Sequence, residues 1–140
     1  MTLAKFQSFV ASHSEKFAGV HPHPTADFDE FERQLGHPLP ESLRWLLGKH
    51  GYSDCSGVGN LAEAVDQTIA YRGSIALPRN WLLLNDWGDA GIVLLDLPTG
   101  RVCWCGAHNA GNLAAGKIDS DADWFEGYPE WAANRVDAAE

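Results

Sequence analysis

Residues 81–105 read WLLLNDWGDAGIVLLDLPTGRVCWC, and this stretch decides the fold class. It contains apolar runs at 81–84, 92–97 and 101–105, separated by segments rich in Gly, Asp, Asn and Pro. Apolar runs of about four to eight residues between turn residues are typical of consecutive antiparallel strands. The first two runs are nearly continuous and do not alternate with polar residues. They therefore predict a sheet that is covered on both faces or lies at the centre of the domain.

The residues before this stretch have helical periodicity. Apolar residues at spacings of three and four predict an amphipathic helix over residues 3–17. Caps and stops delimit two more helices, one between Thr25 and Gly36 and one between Pro40 and Gly51. Asn60 followed by Glu63 resembles a capping box and predicts a fourth helix. A strand stays open as the alternative there, because residues 68–71 include β-formers.

The residues after 105 are predicted to form a loop up to 119 and then a helical segment. Ser120 and Asp123 predict the start of that segment, and Gly127 and Pro129 are expected to split it. Helices, then a meander of strands, then a closing helix indicate an α+β fold. We expect a single domain over residues 1–140, with a central antiparallel or mixed sheet packed by N-terminal helices and a C-terminal helix.

The acidic charge is concentrated in the second half of the chain. Nineteen acidic and ten basic residues give a net charge of −9. Residues 1–79 contain nine acids and seven bases, whereas residues 80–140 contain ten acids, three bases and five of the six tryptophans. Such a surface repels nucleic acid and anionic membranes and attracts basic partners, although solubility alone is an equally good explanation.

The sequence contains no segment typical of secretion or membrane insertion. No long apolar region follows the first residues, so we expect no secretory signal. No apolar run approaches the roughly 18 residues of a transmembrane helix. Cys55, Cys103 and Cys105 are an odd number and do not indicate a disulfide framework. The cytoplasm is the simplest expected location.

The pattern closest to a metal site is Cys103-x-Cys105 followed by His108. Residues two apart on a strand point to the same face, so both sulfurs could meet one ion. A structural zinc site needs four ligands, and Cys55 would have to complete this one. Two small buried hydrophobic residues are the preferred interpretation. We therefore predict no metal and no cofactor.

The segment 85–89 places Trp87 between Asp86 and Asp89, and residues 80–100 contain no basic residue. Aromatic anchors dominate interface energetics, and flanking charges speed encounter and select partners. We therefore predict that Asp86, Trp87 and Asp89 contact a partner. Two alternatives stay open: the ring folds into the core while the aspartates cap a turn, or the carboxylates act as general acid and base. Known nucleophile, zinc-helix and phosphate-loop motifs are missing, so we predict no enzyme.

An ordered series of short motifs carries a family resemblance. It consists of FDEFERQLG at 28–36, PLP at 38–40, Leu46-Leu47, Gly51, Leu77-Pro78, the three strands, and the closing tryptophans at 124 and 131. This series resembles the SUKH superfamily of Smi/Knr-type domains over residues 25–136. One departure is Lys49-His50-Gly51-Tyr52, which stands where the family has an Asn-Gly-Gly turn but keeps the helix-stopping glycine.

The resemblance implies a protein-binding fold. Many bacterial members are similar to immunity proteins, which neutralise in the cytoplasm the toxin domain of a contact-dependent or secreted polymorphic toxin, often a nuclease. The expected partner is therefore a basic toxin domain, with no direct contact to nucleic acid or membrane. A regulatory or scaffolding module without a toxin is the first alternative, and an uncharacterised hydrolase is the second.

Overall fold

The chain folds as helices, then a four-stranded meander, then a closing helix, and the computed structural model describes residues 1–139. In chain order the elements are α1 (Leu3–Ser12), α2 (Thr25–Leu35), α3 (Glu41–Lys49), α4 (Leu61–Ser74), β1 (Trp81–Asp86), β2 (Ile92–Asp96), β3 (Val102–Cys105), α5 (Asn109–Asn112), β4 (Asp123–Phe125) and α6 (Tyr128–Ala139). The strands form one antiparallel sheet in the order β1-β2-β3-β4. The predicted α+β class is confirmed, and the sheet is antiparallel.

The sheet is covered on both faces, as the continuous apolar runs predicted. Leu82, Val93 and Val102 belong to a larger core that also contains buried side chains of α1–α4 and α6. Leu83 and Cys103 belong to a smaller core on the opposite face, which the α5 region covers. Because side chains alternate along a strand, β1, β2 and β3 each contribute to both cores.

The connector between α2 and α3 is held by one carboxylate. Glu32 accepts hydrogen bonds from the Leu39 backbone N–H at 2.7 Å and from Arg44 at 2.9 Å. Gly36 ends α2 in the left-handed conformation, with φ of 81°. The acidic residue in the 28–36 motif therefore fixes the path of the 38–40 motif.

The fourth predicted helix is confirmed, and the strand alternative there is wrong. The Asn60 side chain accepts a hydrogen bond from the Glu63 N–H at 3.0 Å, which caps α4. Thr68, a β-former, is buried on α4, where its hydroxyl donates to the Ala64 carbonyl and accepts from the Leu83 N–H. This residue joins α4 to β1 rather than extending the sheet.

Two predicted boundaries are wrong. The first helix ends at Ser12 instead of near residue 17, although Phe17 is still buried. The C-terminal helix does not begin near Ser120, because residues 123–125 form β4 through pairing with β3. Gly127 and Pro129 do not split a helix. They mark its start, because proline in the first turn lacks an N–H that would have no partner there.

Within residues 1–139, no helix combines the length and the apolarity that crossing a membrane requires.

Candidate functional site

The loop between β1 and β2 (residues 87–91) follows Asp86, the last residue of β1, whose carboxylate is held by two hydrogen bonds. One Asp86 carboxylate oxygen accepts from the Gly88 N–H at 2.9 Å, and the other accepts from the Gln67 side chain at 3.3 Å. The Trp87 N–H donates to the Gly91 carbonyl at 2.9 Å. Asp86 and Asp89 are both exposed. The turn-capping alternative therefore holds for Asp86, whereas the carboxylate of Asp89 is left to solvent.

Trp87 is half-buried and packs towards the larger core. Its ring centroid lies 5.7 Å from that of Trp104, with the rings perpendicular, and 5.9 Å from that of Trp131. The core-facing alternative therefore describes part of this residue. A substitution at Trp87 would disturb packing as well as any interface.

Three depressions meet at this loop, and each of the three predicted residues lines a different one. Trp87 lines a pocket of about 410 Å³, which we call the Arg135 pocket. Asp86 lines a groove of about 350 Å³ together with Glu63, which we call the Asp86 groove. Asp89 lines a depression of about 220 Å³, which we call the acidic depression. The structure therefore does not gather the predicted residues into one cavity.

The acidic depression brings together carboxylates that are distant in sequence. Asp121 and Asp123 line it with Asp89, and none of its described lining residues is basic. Asp123 reaches this position because it pairs with Trp104 in the β3–β4 ladder. Sequence reasoning missed both residues, since they were placed around a helix start. Their only signal was the excess of acid in the second half of the chain.

Arg135 of α6 lies against the tryptophan cluster. Its guanidinium carbon is 5.1 Å from the ring centroid of Trp87, 5.4 Å from that of Trp131 and 5.8 Å from that of Trp104. A guanidinium over aromatic faces gains cation–π stabilisation of about 0.5–2 kcal/mol, depending on its desolvation. Sequence reasoning missed Arg135, because no local pattern links α6 to the β1–β2 loop.

The segment 57–59 separates the Arg135 pocket from the Asp86 groove, and hydrogen bonds hold it in place. A β-bulge in β1 sets Asn85 opposite Val93. The Asn85 amide donates to the Gly57 carbonyl and accepts from the Gly59 N–H at 3.2 Å. Trp131 donates to the same Gly57 carbonyl at 3.3 Å.

Of the three cysteines and His108, the structure brings only Cys103 and Cys105 together. Cys103 and Cys105 are buried in the smaller core, whereas Cys55 is buried in the larger core on the other side of the sheet. His108 is exposed and hydrogen bonds with Asp119. The hydrogen bond to Cys105, and then burial, raise the pKa of the Cys103 thiol, which favours its protonated form. In the described part of the chain, no three His, Cys, Asp or Glu residues are arranged to hold a metal.

Comparison with known proteins gives one match. The sequence model of the SMI1 / KNR4 family (SUKH-1) matches residues 22–128, which is most of the chain. The chain therefore belongs to this family. The matched range runs from the residues before α2 to the start of α6 and includes the whole sheet. No curated protein and no solved structure gives a significant match.

Proposed function

We propose that this chain, as a member of the SMI1/KNR4 family (SUKH-1), is a bacterial cytoplasmic immunity-type protein. In this proposal it binds a cognate toxin stoichiometrically and blocks its active site, without catalysing a reaction. Membership of the family supports the immunity theme and a protein partner. The identity of the partner is the step that the proposal adds.

The observation that carries the proposal is the acidic surface around the β1–β2 loop. Asp89, Asp121 and Asp123 converge on one depression, and Asp86 with Glu63 lines the neighbouring groove. Clustered charges of one sign accelerate association with a partner of opposite charge. A nuclease toxin needs a basic groove to hold phosphates, so this surface can occupy that groove in place of nucleic acid. The proposed partner is therefore a basic toxin domain, with nucleases as the first class to test.

The rigidity of the loop also supports a binding role. Its backbone closes on itself through the bond between Trp87 and Gly91, and Asp86 is anchored to both the turn and α4. Interface groups that are already ordered lose less conformational entropy when a partner binds. The Asp86 carboxylate is thus presented in a fixed position before encounter.

The first experiment pairs the chain with the toxin domain encoded in its immediate gene neighbourhood. We expect cells that express this domain to survive only when the chain is co-expressed, and the purified proteins to form a stoichiometric complex. A neighbourhood without a toxin gene, or a toxin that remains active in the presence of the chain, would favour the scaffold alternative. Turnover of a substrate by the purified chain would favour the hydrolase alternative.

The second experiment tests electrostatic capture by the loop. We expect Asp86→Asn combined with Asp89→Asn to slow association by about tenfold at low salt, with a smaller effect on dissociation. Stopped-flow binding at two salt concentrations measures this, because screening shortens the Debye length to about 8 Å at physiological ionic strength.

Glu15→Gln combined with Glu41→Gln is the matched control for this double substitution. It removes the same charge at two exposed positions, neither of which lines a depression at the β1–β2 loop. The control should change the association rate by less than about twofold. An association rate that is indifferent to both salt and the loop substitutions would rule out capture through this surface.

A further inference from the structure

We propose that the Arg135 pocket is a carboxylate-binding site that receives an acidic side chain of the protein partner. The assignment to a partner rests on the proposed function above, whereas the chemistry of the pocket does not. Arg135 is opposite in sign to the carboxylates that surround the pocket. Charge counting therefore gives no indication of it.

Within residues 1–139, no group accepts a hydrogen bond from the Arg135 guanidinium. Its Nε is buried without a hydrogen-bond partner in residues 1–139, although acidic residues outnumber basic ones in the chain. Arg33 and Arg44, in contrast, form ion pairs with carboxylates. A charged donor removed from water is costly when unpaired. Nε is the one Arg135 nitrogen that is closed to solvent, so an incoming acceptor would meet the terminal nitrogens and neutralise the charge that burial of Nε disfavours.

The Arg135 pocket has the size and shape to hold one carboxylate side chain. Its volume of about 410 Å³ lies within the range of small-ligand sites. The ring of Trp87 and the backbone of residues 57–59 form walls beside the guanidinium. The aliphatic part of a glutamate or aspartate can lie against the indole, while its carboxylate meets the planar guanidinium fork in a bidentate pair.

The charges that line the Arg135 pocket favour a ligand with a single negative charge. Arg135 is the only basic residue among the described residues that line the pocket, and Asp54 also lines it. One guanidinium neutralises one negative charge, and Asp54 together with the net charge of −9 opposes a second. A monovalent carboxylate is therefore preferred over a divalent phosphate.

The position of the Arg135 pocket beside the Asp86 groove indicates a protein as the source of the carboxylate. The Arg135 pocket and the Asp86 groove share Gly59 and Asn85 as lining residues. A partner segment that crosses this shared wall meets a cation on one side and carboxylates on the other. A segment with an acidic side chain and a basic side chain on either side of the wall complements both cavities.

The experiment titrates the free chain with N-acetyl-glutamate N-methylamide and follows its ¹H–¹⁵N NMR spectrum. We expect the Arg135 Nε–H signal and the indole N–H signal of Trp87 to shift, with a dissociation constant in the millimolar range. The neutral glutamine analogue should bind at least tenfold more weakly. Equal shifts with both probes, or no shift with either, would overturn the proposal. Inorganic phosphate that binds more tightly than the glutamate probe would also overturn it.

Variants locate the effect at Arg135. Arg135→Gln should abolish the glutamate-dependent shifts, and Arg135→Lys should retain weaker binding, because it keeps the charge but loses the fork. Arg101→Gln is the matched control. Arg101 also lies over a tryptophan ring, at 4.3 Å from Trp124, but it does not line the pocket. Glutamate binding that survives in Arg135→Gln, or is lost in Arg101→Gln, would contradict the assignment.

The comparison of the glutamate and glutamine probes is made on the unaltered chain, so it tests the proposal even if Arg135→Gln does not fold. Its result is also independent of the proposed function. A chain that binds the glutamate probe but does not neutralise the toxin keeps the site and loses the immunity proposal. A chain that neutralises the toxin but does not discriminate between the probes gives the reverse result.

Discussion

Gly57 occupies a position that has neither the backbone freedom nor the space for a side chain. Its φ is 68°, and a Cβ added there would lie 2.3 Å from the Trp131 indole nitrogen and 2.9 Å from its neighbouring ring carbon. The left-handed conformation costs a non-glycine residue about 1–2 kcal/mol, and overpacking of a buried contact adds about 1–3 kcal/mol. Gly57→Ala should therefore reduce the free energy of unfolding by about 2–5 kcal/mol, a large part of the stability of an ordinary domain.

Equilibrium urea unfolding, followed by tryptophan fluorescence and by circular dichroism, measures this loss. Gly36→Ala is the matched control, since its φ is 81° but nothing lies within 4 Å of an added Cβ. It should lose only the conformational contribution of about 1–2 kcal/mol. A loss in Gly57→Ala that does not exceed the loss in Gly36→Ala would refute the close approach of Trp131 to the segment 57–59.

Two further predictions concern the larger core. Leu46 is fully buried, and Leu46→Ala should cost about 2–5 kcal/mol in urea unfolding, whereas a change under about 0.5 kcal/mol would show that the buried face of α3 is assigned wrongly. Burial raises the pKa of Tyr128, whose hydroxyl donates to the Ser56 carbonyl. The unfolded chain releases this proton near pH 10 and the folded chain does not, so the stability from Tyr128 is complete below about pH 10 and falls above it. Tyr128→Phe should cost about 1–3 kcal/mol at pH 8 and should reduce the fall in stability between pH 8 and pH 10.5, and an unchanged fall would contradict the burial.

Much of the sheet was predictable because its signals are local. Residues 81–105 contain continuous apolar runs and turn residues, and the meander follows from them. β4 has no such signal. It is three residues long and includes Asp123 and Trp124, and it exists because those residues pair with Trp104 and Cys103. Pairing between segments distant in sequence decided the structure there, whereas the local pattern favoured a helix.

The end of the first helix shows a different limit of sequence patterns. Phe17 is buried and its ring centroid lies 6.4 Å from that of Phe6. A continuous helix would separate these two residues by about 16 Å along its axis, so the contact needs the helix to end between them. The chain leaves the helix after Ser12 and returns Phe17 to the core through turns. Periodicity identifies the residues that face the core, but it does not identify the backbone that brings them there.

Only the part of the candidate site that is contiguous in sequence, around the β1–β2 loop, could be predicted from the sequence. Asp86 at the end of β1 and Asp89 in the β1–β2 loop are both exposed, but their roles as partner contacts stay a prediction. Asp121 and Arg135 reach the site through β4 pairing and the packing of α6, and neither has a local motif. The site is assembled from several elements, so a sequence pattern identifies at most the part that one loop contributes.

The two proposed binding features, the exposed aspartates and Arg135, have different roles in recognition. The aspartates act at long range, so they speed encounter with basic proteins and select against acidic ones. Arg135 acts only in the formed interface. A basic partner that covers the Arg135 guanidinium without supplying a carboxylate leaves this charge desolvated and unpaired. Such a complex dissociates sooner. In this proposal the aspartates therefore set how fast toxins are captured, and the half-buried Arg135 among them sets which toxin is retained.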